Sequence, residues 1–231
     1  MPSALVTGAS RGLGLEFVRQ LSATHRVLAT CRRPDDADAL RATVEAAGRR
    51  SQLLALDVTD PDSIAECARS VAAEGSTIDL LLHCAGVWDV DGSASSGPLE
   101  TLRPQALLEV LRVNAVAILD VTRAMVDRLA RDGLVVSLSS GLGSLTRDVP
   151  RVNYGYALSK AALNMATRYL AEELAPVRVI ALDPGWVRTD LGGPDARLSV
   201  EESVRQLRRV LGALGNETGC FLNRHGEMVP W

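Results

Sequence analysis

A glycine-rich turn near the N-terminus places the strongest constraint on the fold of this chain. Residues 7–14 read TGASRGLG and follow a short apolar run, Ala4–Thr7. A helical pattern of apolar residues continues over residues 12–22. Glycines between a strand and a helix let the backbone turn tightly and approach a pyrophosphate at the helix N-terminus, although a tight turn without a ligand is the alternative. We therefore predict a dinucleotide site at Gly8, Ser10, Arg11, Gly12, Leu13 and Gly14.

Short β-like runs alternate with longer helical patterns along the rest of the chain. This alternation predicts an α/β fold in which a parallel sheet is covered by helices on both faces, built as one domain over residues 1–231. We expect helices near residues 12–22, 35–47, 61–74, 104–130, 154–174 and 200–212. The predicted strands are Ala4–Thr7, Arg26–Thr30, Gln52–Leu56, Ile78–Leu82, Leu134–Leu138, Val177–Leu182 and Cys220–Leu222.

Composition narrows the class of partner. A net charge of -3 and 47% hydrophobic residues give no reason to expect nucleic acid or an anionic membrane, so a small-molecule ligand is favoured. No stretch reaches the ~18 consecutive apolar residues of a membrane span, and the N-terminus has no basic leader, which predicts a cytoplasmic protein. The four cysteines have no metal-binding spacing, so we expect reduced packing residues and no metal.

The end of the second predicted strand indicates which dinucleotide binds. NAD-preferring sites present a carboxylate here to the ribose 2′-hydroxyl, but this chain reads TCRRP. Arg32 or Arg33, together with Arg11, can pair with a 2′-phosphate, which favours NADP(H) over NAD(H). Because arginine is the common cation of this chain, a solvated surface role is the alternative. Asp57, at the end of the third strand, either accepts from the adenine amino group or caps the next helix, although Asp60 is better placed for capping.

The segment NYGYALSK, residues 153–160, contains the only lysine among 25 basic residues. Residues four apart lie on one face of a helix, so Lys160 lies beside Tyr156 and away from Tyr154. An adjacent ammonium and a cationic nicotinamide would both lower the pKa of the phenol, which would make Tyr156 an acid–base catalyst at neutral pH. A compact ammonium suits this position better than the planar arginine fork. The alternative is an exposed helix cation.

Two serines end the fifth predicted strand. A hydroxyl from Ser139 or Ser140 beside the phenol could hold a substrate carbonyl oxygen and stabilise the charge that develops on it. A serine hydrolase does not fit, because there is no GxSxG segment and the histidines have no triad setting. His83, at the end of an apolar strand, is expected to be buried or to line a crevice.

In this order, the TGxxxGxG turn, Asp57–Val58, SSxxG, YxxxK and DPGWVRTD resemble the short-chain dehydrogenase/reductase family over essentially the whole chain. The resemblance implies a Rossmann fold with a seven-stranded, doubly wound parallel sheet of order 3-2-1-4-5-6-7. It also implies reversible hydride transfer between a nicotinamide cofactor and a carbonyl or alcohol. The catalytic residues carried over are Asn114, Ser140, Tyr156 and Lys160.

The same resemblance gives each residue a role. Tyr156 is the general acid–base, Lys160 lowers its pKa and binds the nicotinamide ribose, Ser140 orients the carbonyl, and Asn114 holds a water that connects the lysine to solvent. Further cofactor contacts are Asp57, Val58, Ala85, Gly86, Pro184, Gly185, Val187 and Thr189.

This chain departs from the family pattern in two places. HCAG, residues 83–86, replaces the usual NNAG, which puts the internal bracing in doubt at that point. Ser140 and Tyr156 are 16 residues apart, more than is usual, so we expect the loop Leu142–Asn153 to bulge over the pocket. Substrate specificity is expected in this loop and in Asp91–Pro98 and Leu191–Ser199. The pocket walls should include Trp88, Leu142 and Trp186.

A finer resemblance joins the chain to C-factor-like and sniffer-like proteins, on YALSKAALNM, DPGWVRTDLGGPDA and the ending GCFLNRHGEMVPW. This subgroup includes NADPH-dependent carbonyl reductases, so reduction of a ketone or aldehyde is the leading expectation. An NADP-binding signalling protein and a biosynthetic dehydrogenase that works in the oxidative direction remain alternatives. The helices near 104–130 and 154–174 could pair in a homodimer or homotetramer, as in many relatives.

Overall fold

The seven strands form one parallel sheet in a computed structural model of the chain, which describes residues 1–48, 51–75, 77–90, 98–147 and 153–231. The strand order is 3-2-1-4-5-6-7, as the family resemblance implies, and every neighbouring pair is parallel. The strands are β1 Ser3–Thr7, β2 Arg26–Cys31, β3 Gln52–Ala55, β4 Ile78–His83, β5 Leu129–Leu138, β6 Arg178–Asp183 and β7 Cys220–Asn223.

Helices connect these strands and cover both faces of the sheet. Asp60 caps the third helix by accepting from the amide of Asp62 at 3.0 Å, as predicted. Short 3₁₀ turns occupy Pro34–Asp36, Leu99–Thr101, Val126–Arg128 and Gly141–Gly143. The helices are α1 Gly12–Leu21, α2 Asp38–Ala46, α3 Pro61–Ala73, α4 Pro104–Leu111, α5 Ala117–Met125, α6 Tyr154–Glu173 and α7 Val200–Ala213.

The single long helix that we predicted over residues 104–130 is wrong in two respects. A π-helical segment, Arg112–Val116, separates α4 from α5. The helix also ends earlier, because Leu129 pairs with Ile78 and begins β5 five residues before the predicted start at Leu134. The pairing of β4 with β5 is irregular between Ile78 and Leu80. Because residues 105–132 contain neither glycine nor proline, the sequence gives no signal for the boundary between helix and strand.

Alternate side chains of each strand enter two separate apolar cores, as expected for a parallel sheet buried on both faces. One core lies under α1, α2 and α7 and includes Phe17, Leu40, Val204 and Leu207. The other lies under α3, α5 and α6 and includes Ile64, Val121, Met125 and Leu163. Helix pairing between subunits stays a prediction; exposed apolar side chains on these helices include Leu108, Leu119, Leu158, Met165 and Tyr169.

The strand order reverses between β1 and β4, and the crevice outside their carboxyl ends is where open α/β sheets bind ligands. Thr7 braces this point, because its Oγ1 accepts from the amides of Cys84 and Ala85 at 3.2 and 3.3 Å. His83 is buried, as predicted, and its Nε2 is hydrogen-bonded to Thr122 Oγ1 at 2.9 Å, so the internal bracing that HCAG put in doubt is present. In the parts of the chain that the structure describes, no helix is both long and apolar enough to cross a membrane.

Candidate active site

A cavity of about 650 Å³ opens at the carboxyl ends of β4, β5 and β6. The predicted residues that line it include Leu13, Gly86, Trp88, Ser140, Leu142, Tyr156, Lys160, Pro184, Gly185, Trp186, Val187 and Thr189. Its walls are largely apolar, and Ser140, Tyr156 and Lys160 contribute two hydroxyls and an ammonium. Other predicted residues do not line the cavity: most of the glycine turn, Arg32, Asp57, Val58, Ala85 and Asn114. The predicted residues therefore divide between the cavity and a neighbouring crevice.

Tyr156 and Lys160 project from the first turns of α6 into this cavity, and both are almost completely buried. Asn153 caps the helix, because its Oδ1 accepts from the amide of Tyr156 at 2.9 Å. Its Nδ2 donates to the carbonyl of Trp88 at 2.8 Å, and the Trp88 ring packs against Tyr156 with centroids 4.9 Å apart. One buried amide thus positions both aromatic residues. Tyr154, at the helix entry, is half exposed and does not line the cavity.

The protonation of Tyr156 differs from our expectation. Burial raises the pKa of its phenol far above the ordinary value, and the Asp183 carboxylate raises it further, whereas the hydrogen bond with Ser140 opposes them. Lys160 does not compensate: its Nζ donates to the carbonyl of Leu138 at 2.7 Å and lies 5.4 Å from the Tyr156 ring centroid. Burial lowers the pKa of Lys160 itself to about 8. The expected lowering of the phenol pKa is therefore wrong for the protein's own residues, and the phenol is protonated at neutral pH.

Ser140 follows β5 and begins the 3₁₀ turn Gly141–Gly143, whose Leu142 amide its Oγ caps at 3.2 Å. The turn packs against α6 so closely that a β-carbon at Gly143 would lie 2.7 Å from the β-carbon of Lys160. The neighbouring Ser139 also lines the cavity, but its hydroxyl is engaged, because it donates to Asn164 Oδ1 at 2.6 Å. The structure therefore brings Ser140, and not Ser139, to the phenol.

Asn114 lies on the π-helical segment and is completely buried. Its Oδ1 accepts from the amide of Val87 at 2.8 Å, and its Nδ2 donates to the carbonyl of Val87 and to Ser159 Oγ, both at 2.9 Å. Ser159 in turn donates to the carbonyl of Tyr156 at 2.7 Å. Asn114 therefore connects the segment after β4 to the catalytic helix. The predicted water relay stays a prediction.

The glycine-rich turn forms the floor of the neighbouring crevice. A β-carbon at Gly14 would lie 2.3 Å from the carbonyl oxygen of Gly8, so Gly14 allows α1 to start against the turn. Ser10 and Arg11 are exposed, and Arg11 pairs with Asp190. At the end of β2, Arg33 pairs with Asp36 at 3.4 Å, whereas Arg32 has no ion pair among the described residues. Within the described part of the chain, Arg32 is therefore a cation without a direct ion pair at the position where a 2′-phosphate is expected.

Asp57 lies near Arg32 at the same end of the sheet. Burial by itself would raise the pKa of the Asp57 carboxyl, but hydrogen bonds from the amide and the hydroxyl of Thr59 lower this pKa below its ordinary value. Both hydrogen bonds from Thr59 reach Oδ1 of Asp57, which leaves Oδ2 as an acceptor. The following helix is capped by Asp60 instead. This geometry fits the predicted adenine contact and excludes the capping role.

The segment after β6 closes one side of the cavity as a hydrogen-bonded loop, residues 184–193. Gly185 donates to Asp183 Oδ1 at 2.9 Å, Trp186 Nε1 donates to the carbonyl of Gly192 at 2.7 Å, and the Thr189 hydroxyl accepts from the amide of Gly192 at 3.0 Å. The loop lies over the glycine turn, because a β-carbon at Gly12 would be 3.4 Å from Thr189 Cγ2. The loop therefore borders both the cavity and the crevice.

Residues 2–197 match the sequence profile of the family described as short chain dehydrogenase. The chain belongs to this family. A curated relative, the C-signal of Myxococcus xanthus, is 37% identical over 162 residues, which are 67% of this chain and 93% of the relative.

Two solved short-chain dehydrogenase structures share the fold along the whole chain. A short-chain dehydrogenase/reductase from Burkholderia multivorans with bound NADP has a TM-score of 0.90 and 34% identity, covering 100% of this chain and 99% of that one. The carbonyl reductase Sniffer of D. melanogaster has a TM-score of 0.91 and 28% identity, with 100% of both chains covered. The resemblance to the C-factor-like and sniffer-like subgroup is thereby confirmed.

Several residues of this dehydrogenase site were not found from the sequence. Asn153 and Ser159 position α6, and Asn164 holds Ser139 and the carbonyl of Gly143. An asparagine just before a helical run is an N-cap signal that could have identified Asn153. Asp183 and Arg147 also line the cavity, on either side of Gly141: a β-carbon there would lie 2.9 Å from Arg147 Nη1 and 3.3 Å from Asp183 Oδ2. Asp183 begins the DPGWVRTD stretch, but that motif does not place its carboxylate beside Tyr156, and no local pattern marks Arg147.

The loops expected to set specificity are only partly described. Residues 91–97 of the Asp91–Pro98 segment and residues 148–152 of the Leu142–Asn153 segment lie outside the described residues. The described start of the second loop packs on the C-terminus, where Ser144 donates to the carbonyl of Pro230 at 2.7 Å. Its Arg147 reaches the cavity mouth. The part of the chain that is described contains no cluster of three or more His, Cys, Asp or Glu side chains that could hold a metal.

Proposed function

We propose that this short-chain dehydrogenase is an NADPH-dependent reductase that converts a ketone or an aldehyde into an alcohol. The observation that carries the proposal is the convergence of Ser140, Tyr156 and Lys160 on one apolar cavity beside a glycine-lined crevice. The solved relatives described above as holding NADP or as a carbonyl reductase support the cofactor and the reaction class.

The residues of the crevice fit NADPH. The glycine turn and the start of α1 offer backbone amides to a pyrophosphate, and Arg32 and Arg11 offer guanidinium groups to a 2′-phosphate. The close contacts around Gly86 fit a cofactor that reaches the cavity: a β-carbon there would lie 3.4 Å from Asn114 Oδ1 and 3.9 Å from Lys160 Nζ. When bound, NADPH supplies the hydride that reaches the carbonyl carbon.

The protein's own residues handle the carbonyl oxygen and its proton. The Ser140 hydroxyl holds the oxygen, and the Tyr156 hydroxyl donates its proton to that oxygen as negative charge develops there. Lys160, with its ammonium beside Leu138 O, is close enough to Gly86 to bind ribose hydroxyls. The walls from Trp88, Leu142 and Trp186 offer apolar surface to the rest of the substrate.

The protonation of Tyr156 fits its role as the proton donor in reduction. Burial and the Asp183 carboxylate raise the pKa of the phenol and so keep the proton on Tyr156. A protonated phenol is the form that reduction requires. We place the reaction in the cytoplasm, where the four free cysteines would stay reduced.

The experiment is a panel of ketones and aldehydes followed at the nicotinamide absorbance with NADPH and with NADH. We expect turnover with NADPH, loss of turnover by several orders of magnitude in Tyr156→Phe, and unchanged NADPH binding. Tyr154→Phe is the matched control, because it makes the same change at an exposed position two residues away and should leave the rate unchanged. Full activity in Tyr156→Phe would refute the assigned acid.

A second candidate is an NADP-binding signalling protein, and the similarity to the C-signal of Myxococcus xanthus favours it. Such a protein needs the crevice but has no use for a buried phenol beside a lysine. NADPH binding without turnover on the whole panel, together with a biological effect that survives Tyr156→Phe, would decide for this candidate.

A further inference from the structure

An ion pair joins the two sides of the cofactor crevice. Arg11 lies in the glycine turn and Asp190 in the loop of residues 184–193, and their side chains pair directly. Both side chains remain largely exposed, at 74% and 72%. The loop therefore reaches across the mouth of the crevice through the same arginine that we assign to the 2′-phosphate.

Arg11 and Asp190 have few other charged partners among the residues that the structure describes. Neither side chain has a second ion pair there. The other hydrogen bonds of the loop either stay within it, as between Gly193 and the carbonyl of Thr189 at 2.8 Å, or join it to the following segment, as between Arg188 and the carbonyl of Leu198 at 2.9 Å. Among the described residues, none of these hydrogen bonds reaches the glycine turn, so the ion pair is the charged link between the loop and the turn.

An exposed ion pair of this kind is weak and exchangeable. Such pairs contribute about 0–1 kcal/mol, because solvent screens the charges and two long side chains lose freedom. A phosphate carries more charge than a carboxylate and accepts bidentate bonds from a guanidinium. When a 2′-phosphate approaches Arg11, it competes with Asp190 for the same donors and has the advantage.

We propose that Asp190 is a cofactor-specificity residue that competes with the 2′-phosphate of NADP(H) for the Arg11 guanidinium. The inference rests on the proposed NADP(H) function. NADP(H) must displace Asp190 before it gains the full contact with Arg11, whereas NAD(H), which has no 2′-phosphate, leaves the ion pair in place. The ion pair therefore makes the preference for NADP(H) weaker than Arg11 and Arg32 could give without it. When the 2′-phosphate displaces Asp190, the charged link between the loop and the turn is lost.

The test measures dissociation constants by calorimetry for NADPH, NADH, 2′,5′-ADP and 5′-AMP. Asp190→Asn should tighten NADPH and 2′,5′-ADP by about two- to fivefold, the range that corresponds to an exposed ion pair. NADH and 5′-AMP should bind unchanged. Asp195→Asn is the matched control, because it removes the same charge from an exposed position in the following turn and should change nothing.

A double-mutant cycle isolates the competition. Arg11→Ala should weaken NADPH more than NADH, and in that background Asp190→Asn should no longer affect NADPH. Equal tightening by Asp190→Asn and Asp195→Asn, or equal tightening of NADPH and NADH, would overturn the proposal. A selective loss of NADPH affinity in Arg11→Ala with no effect of Asp190→Asn would also overturn it, yet leave the NADP(H) assignment intact. If Arg11→Ala weakens both cofactors equally, the 2′-phosphate assignment of Arg11 itself fails.

Discussion

Replacing Gly8 with alanine should destabilise the protein far more than the same change at Gly75. Both glycines have a left-handed backbone, with φ of +64° and +65°. A β-carbon at Gly75 would have no described neighbour within 4 Å, whereas at Gly8 it would lie 2.6 and 2.7 Å from Cα and N of Ala85. The clashing atoms at Gly8 are backbone atoms, so they cannot rotate away.

The two variants separate the cost of the backbone conformation from the cost of the contact. A left-handed alanine costs about 1–2 kcal/mol, of which ~0.4–1 kcal/mol is offset because alanine restricts the unfolded chain. Gly75→Ala should therefore lose about 1 kcal/mol. Overpacking costs about 1–3 kcal/mol more, so Gly8→Ala should lose about 2–4 kcal/mol.

Thermal unfolding measures the difference. A chain of this size loses roughly 2–4 °C in Tm per kcal/mol, so we expect a loss of about 2–4 °C for Gly75→Ala and about 5–15 °C for Gly8→Ala. Gly8→Ala should also impair NADPH binding, because Ala85 and the turn would separate at the floor of the crevice. Equal losses of Tm in the two variants would refute the close contact between β1 and β4 on which the crevice depends.

Two further predictions concern the reaction. Lys160→Arg should reduce kcat by several orders of magnitude although the charge is kept, because the buried lysine packs against the turn at Gly143. Arg168→Lys, on the exposed side of the same helix, is the control and should leave kcat unchanged. A near-normal kcat in Lys160→Arg would contradict the argument. Asp183→Asn removes a charge that raises the Tyr156 pKa, so the loss of reductase activity with rising pH should begin at lower pH. The pH dependence of kcat/KM for NADPH-dependent reduction measures this shift, and an unchanged or higher limit would contradict it.

The order of strands and helices was predictable because parallel α/β units carry strong local signals. The run around Leu5 is short and apolar, the turn at Gly8 follows it at once, and Asp60 marks a helix start. Where such signals are missing, prediction failed: between Leu111 and Asp132 neither a glycine nor a proline marks the π-helical segment, the end of the helix or the start of β5. Those features depend on pairing with Ile78, which is distant in sequence.

The candidate site was predictable to the extent that it uses local spacing. Helical periodicity from Lys160 selects Tyr156 over Tyr154, and the structure agrees on which tyrosine faces the cavity. Asp183 and Arg147 come to the cavity from separate segments, so no spacing rule connects them with Tyr156. The pairing of Arg11 with Asp190 spans 179 positions and depends on the loop after β6 folding back over the first turn.

The acidity of Tyr156 shows why spacing alone does not determine chemistry. From the sequence, Lys160 is the one charge known to be close, so it should lower the phenol pKa. In the folded chain two other effects dominate: α6 buries the phenol, and Asp183 at the end of β6 adds a negative charge near it. Lys160 is meanwhile directed to the carbonyl of Leu138. Because both effects favour the proton on the phenol, the site is set up as a proton donor. The same argument makes Asp183, whose effect on Tyr156 the sequence did not predict, the residue whose removal should move the site toward proton acceptance.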